Sequence, residues 1–378
     1  MSDRRRYSRR RLLSTVGVGT LGALAGCSGG DESPATTGPE ESPQSTTEAP
    51  ATARTTATSG SGGASGSGGS ASVSTGTLPS GSIPPYASLF PSSGEPLLFT
   101  AHDPNQDSKF KLGGTPEDPT DPLRFDAVAG VVGARVAGAF LLSLQLDFSV
   151  DRLEIGETTR VLTLGGVAAQ VMPVDRQGVL SDVEGTETSI ERRDGDSAVL
   201  VGPEDIVFGV TDDVFVFAPT PASDTASLVE RIGSMLDART GATTPRHESD
   251  PRFRSLLERG DTGGSVGCVY APGRNAAAAV DAAATDRSVS APALLTEGFA
   301  SATGGLFHID LDGETPRPAS GTLLYPDAGA IDEDALTGTV GAAATDRSYV
   351  RDGTAVRVEG TYPWESLRGF ESDLGGVG

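Results

Sequence analysis

Oxygen-bearing side chains at alternate positions of one short segment have the chemistry of a calcium site. Asp103, Asn105 and Asp107 occupy what would be the first, third and fifth positions of a calcium-binding loop. Such a loop needs glycine at its sixth position for a sharp turn and a bidentate glutamate at its twelfth. Ser108 and Gly114 stand at those two positions. We therefore interpret this segment as a polar connecting loop and predict no metal site in it.

The other candidate catalytic groups are isolated in the sequence. His102, His247 and His308 are the only histidines, and their separation forms no recognisable metal-binding motif. Cys268 lies in an apolar, strand-like run, residues 265–270, which favours a buried thiol over a nucleophile. We predict no catalytic residue, no cofactor and no metal site.

The N-terminal residues have the layout of an export signal. Six arginines, among them Arg9 and Arg10, precede an apolar run that covers residues 12–26. Cys27 follows this run. The arginines would stay at the anionic cytoplasmic face while the apolar run enters the bilayer. That run is shorter than the roughly 20 apolar residues that a spanning helix needs. We predict cleavage before Cys27, and an uncleaved short anchor is the alternative.

Two motifs in this region resemble those of a known class of exported proteins. Ser8-Arg9-Arg10-Arg11-Leu12-Leu13 is similar to a twin-arginine signal, and Leu24-Ala25-Gly26-Cys27 is similar to a lipobox. The resemblance implies export in the folded state and a lipid on Cys27. It places the protein at the extracellular face of the cytoplasmic membrane. Because one acyl chain binds a membrane weakly, stable anchoring implies two chains or a second contact.

The chain is strongly acidic. It has 51 Asp and Glu against 29 Lys and Arg, a formal net charge of -22. This sign argues against nucleic acid as a partner, because phosphates need a basic surface. Lys109 and Lys111 are the only lysines, and such an acidic, lysine-poor composition resembles that of proteins from extremely halophilic archaea. Since salt screens the repulsion between like charges, we expect the domain to expand or unfold at low salt.

Composition divides the chain into three parts. Residues 1–26 form the predicted signal peptide, and residues 27–82 form a Ser/Thr/Gly/Pro-rich stalk. Such a stalk cannot bury enough apolar surface to offset the entropy lost on ordering. The predicted ectodomain covers residues 83–378, as a single domain or as two subdomains divided near residue 272.

The ectodomain alternates between strand and helix patterns, which predicts an α+β fold. Short β-branched and aromatic runs separated by turn signals, between residues 159 and 219, indicate a mostly antiparallel meander. An apolar stripe at helical spacing from Ser223 to Gly241 predicts a helix packed on that sheet. Asp250-Pro251 and Asp332 are typical helix starts. The expected architecture is a mostly antiparallel sheet meander with helices packed on it, preceded by a disordered stalk.

A fainter resemblance covers residues 205–271. The strands between residues 207 and 217, the helix from Ser223 to Gly241 and the motif Asp250-Pro251-Arg252-Phe253 are similar to a unit of uncharacterised exported proteins of archaea and bacteria. Those units are known only as domains of unknown function. The resemblance therefore implies no activity.

One heptapeptide occurs twice. The sequence from Ala282 to Ser288 recurs from Ala342 to Ser348. Because the flanking residues do not align, we interpret this identity as chance reuse of an alanine-rich segment and not as a duplication.

Three classes of function fit these observations. We favour a non-enzymatic membrane-anchored lipoprotein that binds or organises another component of the cell envelope. A solute-binding receptor of a transporter is one alternative, although its two-lobed fold would need repeated βα units. An exported hydrolase with an unrecognised site is the other. The predicted partners are the membrane, through the lipid on Cys27, and a further envelope component.

Overall fold

The computed structural model describes residues 72–103, 121–124, 146–154, 160–164, 166–218, 224–273, 276, 299, 301–311 and 317–363. Arg9, Arg10, Cys27 and the predicted stalk up to residue 71 lie outside the described residues, as do Asn105 and Asp107 of the calcium-like loop. No helix among the described residues is long and apolar enough to cross a membrane.

Thirteen strands in the described residues form one hydrogen-bonded sheet. They are β1 (Val73–Thr75), β2 (Leu97–His102), β3 (Arg160–Leu164), β4 (Val167–Val171), β5 (Ser189–Asp194), β6 (Ser197–Val201), β7 (Val207–Val210), β8 (Val214–Phe217), β9 (Ser265–Tyr270), β10 (Gly304–Ile309), β11 (Arg317–Leu324), β12 (Thr345–Asp352) and β13 (Ala355–Tyr362). Their order is β1-β12-β13-β11-β10-β9-β2-β3-β4-β8-β7-β6-β5. β1 and β12 are parallel, and the other neighbouring pairs are antiparallel. The α+β prediction with a mostly antiparallel sheet is confirmed.

Helices pack on both faces of this sheet. The α-helices described are α1 (Arg176–Asp182), α2 (Thr225–Thr240), α3 (Arg246–Ser249), α4 (Pro251–Arg259) and α5 (Glu333–Thr339). Apolar side chains of α2 and α4 share one core with the sheet. Apolar side chains of α1 belong to a second core and those of α5 to a third. Along the strands, the residues in these two cores alternate with the residues in the first core. Because successive side chains of a strand point to opposite faces, α2 and α4 lie on one face and α1 and α5 on the other.

The helix that the sequence predicts between Ser223 and Gly241 forms as α2, Thr225–Thr240. Asp224 is its N-cap and accepts a hydrogen bond from Ser227 N at 3.1 Å, and the helix ends at Gly241. Ile232 and Leu236 lie so close to Gly209 of β7 that a Cβ there would be 2.5 Å and 2.8 Å from them. A glycine in β7 therefore lets α2 approach the sheet.

The sheet has a similar strand order on the two sides of the central pair β2–β9. After β2 the chain forms the β3–β4 hairpin, α1 and a meander whose last strand, β8, lies beside β4. After β9 it forms the β10–β11 hairpin, α5 and the pair β12–β13, with β13 beside β11. β2 and β9 are antiparallel neighbours, and the two series have the same strand order outward from this pair.

The repeated heptapeptide does not correspond to this topological repeat. Its second copy, from Ala342 to Ser348, follows α5 and enters β12. Its first copy lies in the sequence between β9 and β10, outside the described residues. In the series that begins with β2, the corresponding connection is the one from β2 to β3. Both copies of the heptapeptide therefore belong to the series that begins with β9. The sheet also continues across residue 272, because β9 pairs with both β2 and β10.

The folded part includes residues that composition assigned to the stalk. β1 pairs with β12, and Gly76 N donates to the carbonyl oxygen of Arg351 at 3.0 Å. Leu78 is buried in the core of α2 and α4, and Gly81 N donates to the carbonyl oxygen of Glu258. Residues 72–82 therefore belong to the domain. A three-residue strand of Val, Ser and Thr looks like stalk in composition, and only its pairing distinguishes it.

Candidate functional site

The predicted candidate residues lie on separate elements. Cys268 is 4 % exposed in β9, and burial raises the pKa of its thiol above the ordinary range, so the prediction of a buried thiol is confirmed. His102 is buried in β2, His247 Nδ1 lies 3.2 Å from the carbonyl oxygen of Ala87, and His308 is half-buried in β10. In the described part of the chain, no group of three or more His, Cys, Asp or Glu side chains could hold a metal ion.

One serine has the sequence spacing of a nucleophile elbow. Gly263-Gly264-Ser265-Val266-Gly267 fits the pattern Gly-x-Ser-x-Gly, a match that the prediction of no catalytic residue overlooked. An elbow places its serine on an exposed turn from a strand to a helix. Ser265 instead begins β9, is followed by strand and is fully buried. The geometry is therefore not that of an elbow.

Polar side chains converge on Asp261, just after α4. Its Oδ2 accepts hydrogen bonds from Ser320 Oγ at 2.6 Å and from Arg357 Nη2 at 2.7 Å. Arg357 Nε donates to Glu359 Oε1 at 2.7 Å. His308 of β10 lies opposite Ser320 of β11 in the antiparallel register. A serine, a histidine and an aspartate thus lie together here, although the sequence does not group them.

The electrostatics of this cluster favour a structural role. Burial raises the pKa of Asp261, but the hydrogen bond from Ser320, the charge and hydrogen bond of Arg357 and the charge of His308 outweigh it, so the pKa falls below its ordinary value. An ionised carboxylate of low pKa is a poor proton acceptor. Ser320 is 5 % exposed and donates its proton to this carboxylate, whereas a catalytic serine donates to an imidazole. The cluster therefore fastens the end of α4 to the sheet.

A cleft of about 400 Å³ lies between α4 and the turn that joins β12 to β13; we call it the α4 cleft. Its lining consists of Arg252, Ser255, Arg259, Leu324, Asp352, Gly353, Thr354 and Ala355. The cationic side chains come from the helix, and the carboxylate comes from the last residue of β12.

Helical spacing aligns the cationic wall of the cleft. Arg252, Ser255 and Arg259 stand at i, i+3 and i+7 and so share one face of α4. The helix is held by Asp250, its N-cap, which accepts hydrogen bonds from Arg252 N at 3.0 Å and Phe253 N at 3.2 Å. The opposite face is buried in the core through Phe253, Leu256 and Leu257. Packing of that apolar face fixes the direction of the polar one.

The facing wall is a two-residue turn that requires glycine. Gly353 has a φ of 62°, in the left-handed region, which a residue with a Cβ adopts at a cost. The neighbouring Thr354 accepts a hydrogen bond at its carbonyl oxygen from Tyr325 N at 2.9 Å. Asp352, the last residue of β12, also lines the cleft, and its Oδ2 lies 3.4 Å from Arg259 Nη2.

The balance of charge in the α4 cleft is positive. Arg252 Nη2 donates to the carbonyl oxygen of Tyr325 at 2.6 Å and to Thr303 Oγ1 at 3.3 Å, and among the described residues Arg252 forms no ion pair with a carboxylate. Arg259 has one long ion pair, with Asp352. Two guanidinium groups therefore face a single carboxylate, in a chain whose net charge is -22. Arginine forks bind carboxylate and sulfate groups well.

A second cleft is larger but has no uncompensated charge in its lining. It measures about 510 Å³ and is lined by Pro91, Ser92, Ser234, Asp237, Thr243, Thr244 and Ser249. Asp237 accepts two hydrogen bonds from Arg192 Nη2, at 2.8 Å and 2.9 Å. Its charge is thereby neutralised, so the α4 cleft is the stronger candidate for a charged ligand.

Sequence reasoning did not identify the α4 cleft. The spacing of Arg252, Ser255 and Arg259 on the polar face of a helix was a visible signal, but the opposing turn was not. Comparison of the chain with protein-family models, with curated proteins and with solved structures gave no significant match. The resemblances to lipoprotein signals and to domains of unknown function therefore stay expectations from the sequence.

Proposed function

We propose that this chain is a lipoprotein, held at the extracellular face of the cytoplasmic membrane by a lipid on Cys27, whose ectodomain binds an anionic polymer of the cell envelope without catalysing a reaction. The α4 cleft carries this proposal. Arg252, Ser255 and Arg259 line it from one helix face and supply two guanidinium groups and a hydroxyl. Carboxylate or sulfate groups along a polymer are ligands that such a pair recognises.

The charge of the rest of the chain supports a specific use for this cleft. An acidic surface repels polyanions, so binding must be local and must come from short contacts. In molar salt the Debye length is about 3 Å, and hydrogen-bonded contacts between guanidinium and carboxylate survive where long-range attraction does not. The predicted stalk would give the domain reach from the membrane.

Calorimetric titration with defined oligosaccharides tests the proposal at a salt concentration that keeps the domain folded. The probes are a carboxylated oligomer of galacturonic acid, a sulfated dextran oligomer and neutral dextran. We expect one or both acidic oligomers to bind and neutral dextran not to bind. A hydrogen bond to a charged group contributes about 1.5–3 kcal/mol, so Arg252→Gln and Arg259→Gln should each weaken binding about 10- to 100-fold.

Arg254→Gln is the matched control. Arg254 lies on the same helix, is exposed, does not line the cleft and pairs with Glu258 at 2.8 Å. Equal weakening by Arg254→Gln would contradict a role for the cleft. Binding of monomeric galacturonate as tight as that of the oligomer would favour a solute receptor, and release of shorter oligomers during the titration would favour a hydrolase.

A further inference from the structure

Arg246, the first residue of α3, is an arginine in the interior of the domain. Its side chain is 2 % exposed. Nη1 donates to the carbonyl oxygen of Glu95 at 2.8 Å. The guanidinium carbon lies 5.1 Å from the ring centre of Tyr270 and 5.7 Å from that of Phe253. One carbonyl group and two aromatic rings thus fix the position of this cation.

Among the described residues, the other edge of the guanidinium group has no hydrogen-bond partner. Nε and Nη2 of Arg246 are buried and form no hydrogen bond. These two nitrogens share one edge of the planar group, the edge that binds an acceptor through two parallel N–H bonds. A buried donor left unpaired is costly, and two adjacent ones point to an acceptor that the described part of the chain does not supply.

The charge of Arg246 is also incompletely balanced. Among the described residues it forms no ion pair with a carboxylate. Asp250 attracts it from a distance, but the oxygens of Asp250 accept hydrogen bonds from the backbone of Arg252 and Phe253 and from Tyr270 Oη. Burial lowers the pKa of Arg246, and the attraction of Asp250 does not restore it. The surroundings therefore favour a ligand that brings negative charge.

We propose that the Nε–Nη2 edge of Arg246 binds a monatomic anion, chloride in ordinary salt solutions, within the core that α2 and α4 share. A halide accepts from both N–H groups and neutralises the charge. It has no hydrogen atoms that need acceptors of their own beside the rings of Phe253 and Tyr270. A water molecule would satisfy the two donors but would add two O–H groups and no charge. This site is independent of the α4 cleft and of the function proposed for it.

Unfolding of the whole chain by urea, at constant sodium concentration and ionic strength, tests the proposal when chloride replaces gluconate stepwise. A ligand that binds the folded state alone raises the ratio of folded to unfolded protein by a factor of one plus the ligand concentration divided by its dissociation constant. At chloride one hundredfold above its dissociation constant, the ratio of folded to unfolded protein should rise about 100-fold. Arg246→Met should remove this rise. Arg254→Gln, at an exposed arginine on α4, should retain it.

Crystals grown or soaked in bromide provide a second measurement that does not depend on a variant. We expect an anomalous scattering peak at hydrogen-bonding distance from Nε and Nη2 of Arg246. An ordered water at this edge with no anomalous signal would overturn the proposal. So would equal chloride dependence in the wild type and in Arg246→Met. If Arg246→Met does not fold, the bromide peak decides the question alone.

Discussion

Replacement of Asp121 by alanine should destabilise the domain although Asp121 lines neither cleft. The side chain is 3 % exposed, and its two oxygens accept four hydrogen bonds. The donors are Leu123 N at 3.2 Å, Gly341 N at 2.8 Å, Ala343 N at 3.0 Å and Tyr362 Oη at 2.7 Å. This carboxylate joins the segment of residues 121–124 to the loop after α5 and to the end of β13.

The magnitude follows from the donors that the substitution would leave behind. Asp121→Ala leaves the buried N–H group of Gly341 and the buried hydroxyl of Tyr362 without an acceptor. The N–H group of Ala343, an exposed residue, loses its acceptor at lower cost. Each buried donor without a partner costs about 1–3 kcal/mol, and entry of water would relieve part of that cost. We expect a loss of about 4 kcal/mol in the free energy of unfolding. That is a large fraction of the 5–15 kcal/mol typical of a whole domain. Asp121→Asn keeps one acceptor oxygen and should cost about half as much.

Urea unfolding followed by circular dichroism in constant molar salt measures these losses. The matched control is Asp332→Ala, because Asp332 is the exposed N-cap of α5 and accepts one hydrogen bond, from Ala335 N at 3.0 Å. Loss of such a cap costs about 1 kcal/mol. If Asp121→Ala costs no more than Asp332→Ala, the inference that Asp121 joins three elements is refuted. Asp121→Asn gives the comparison if the alanine variant does not accumulate as folded protein.

Four further predictions concern the anchor, the thiol, acid stability and salt. Cys27→Ser should release the protein into the medium, and retention in the membrane fraction would show that the anchor lies elsewhere. Cys268 should react with a thiol reagent only after unfolding, because burial shields it and raises its pKa; rapid labelling of the native protein would contradict this. Asp261 has a lowered pKa in the folded state. Its carboxylate therefore stabilises the fold above its ordinary pKa, and that contribution is lost as the pH falls through the lowered value. Asp261→Asn should reduce stability at neutral pH and flatten the change in urea midpoint as the pH falls from about 5 to about 2; an unchanged pH profile would argue against this. The far-ultraviolet circular dichroism should weaken from molar to millimolar salt, and a constant signal would exclude halophilic dependence.

Helix starts and hairpins were predictable because their causes are local. Asp224, Asp250 and Asp332 each accept hydrogen bonds from N–H groups of the first turn, as expected for N-cap residues. The hairpin of β12 and β13 turns at Gly353, where a left-handed conformation is needed. These signals depend on a few neighbouring residues, so the sequence alone reveals them.

The missed elements have weak local signals. β4 consists of Val-Ala-Ala-Gln-Val, and two alanines and a glutamine give little indication of a strand. α1 contains Gly178 and ends after seven residues, which makes its intrinsic helix propensity low. Both form because packing supplies what propensity does not. Ala168 of β4 and Val179 of α1 are fully buried in the same core.

By itself the sequence determined the acidity of the chain, the local elements and their caps, and the α+β class; the export signal and the lipid on Cys27 stay predictions from it. Only the tertiary structure decided the order of the strands and the partners of each site. The wall of Arg252 and Arg259 gains its opposing turn from β12 and β13, and Arg246 meets Glu95 only because the central strands assemble. Such contacts depend on the pairing of distant faces, and local periodicity says which face of an element is apolar but not which element will cover it.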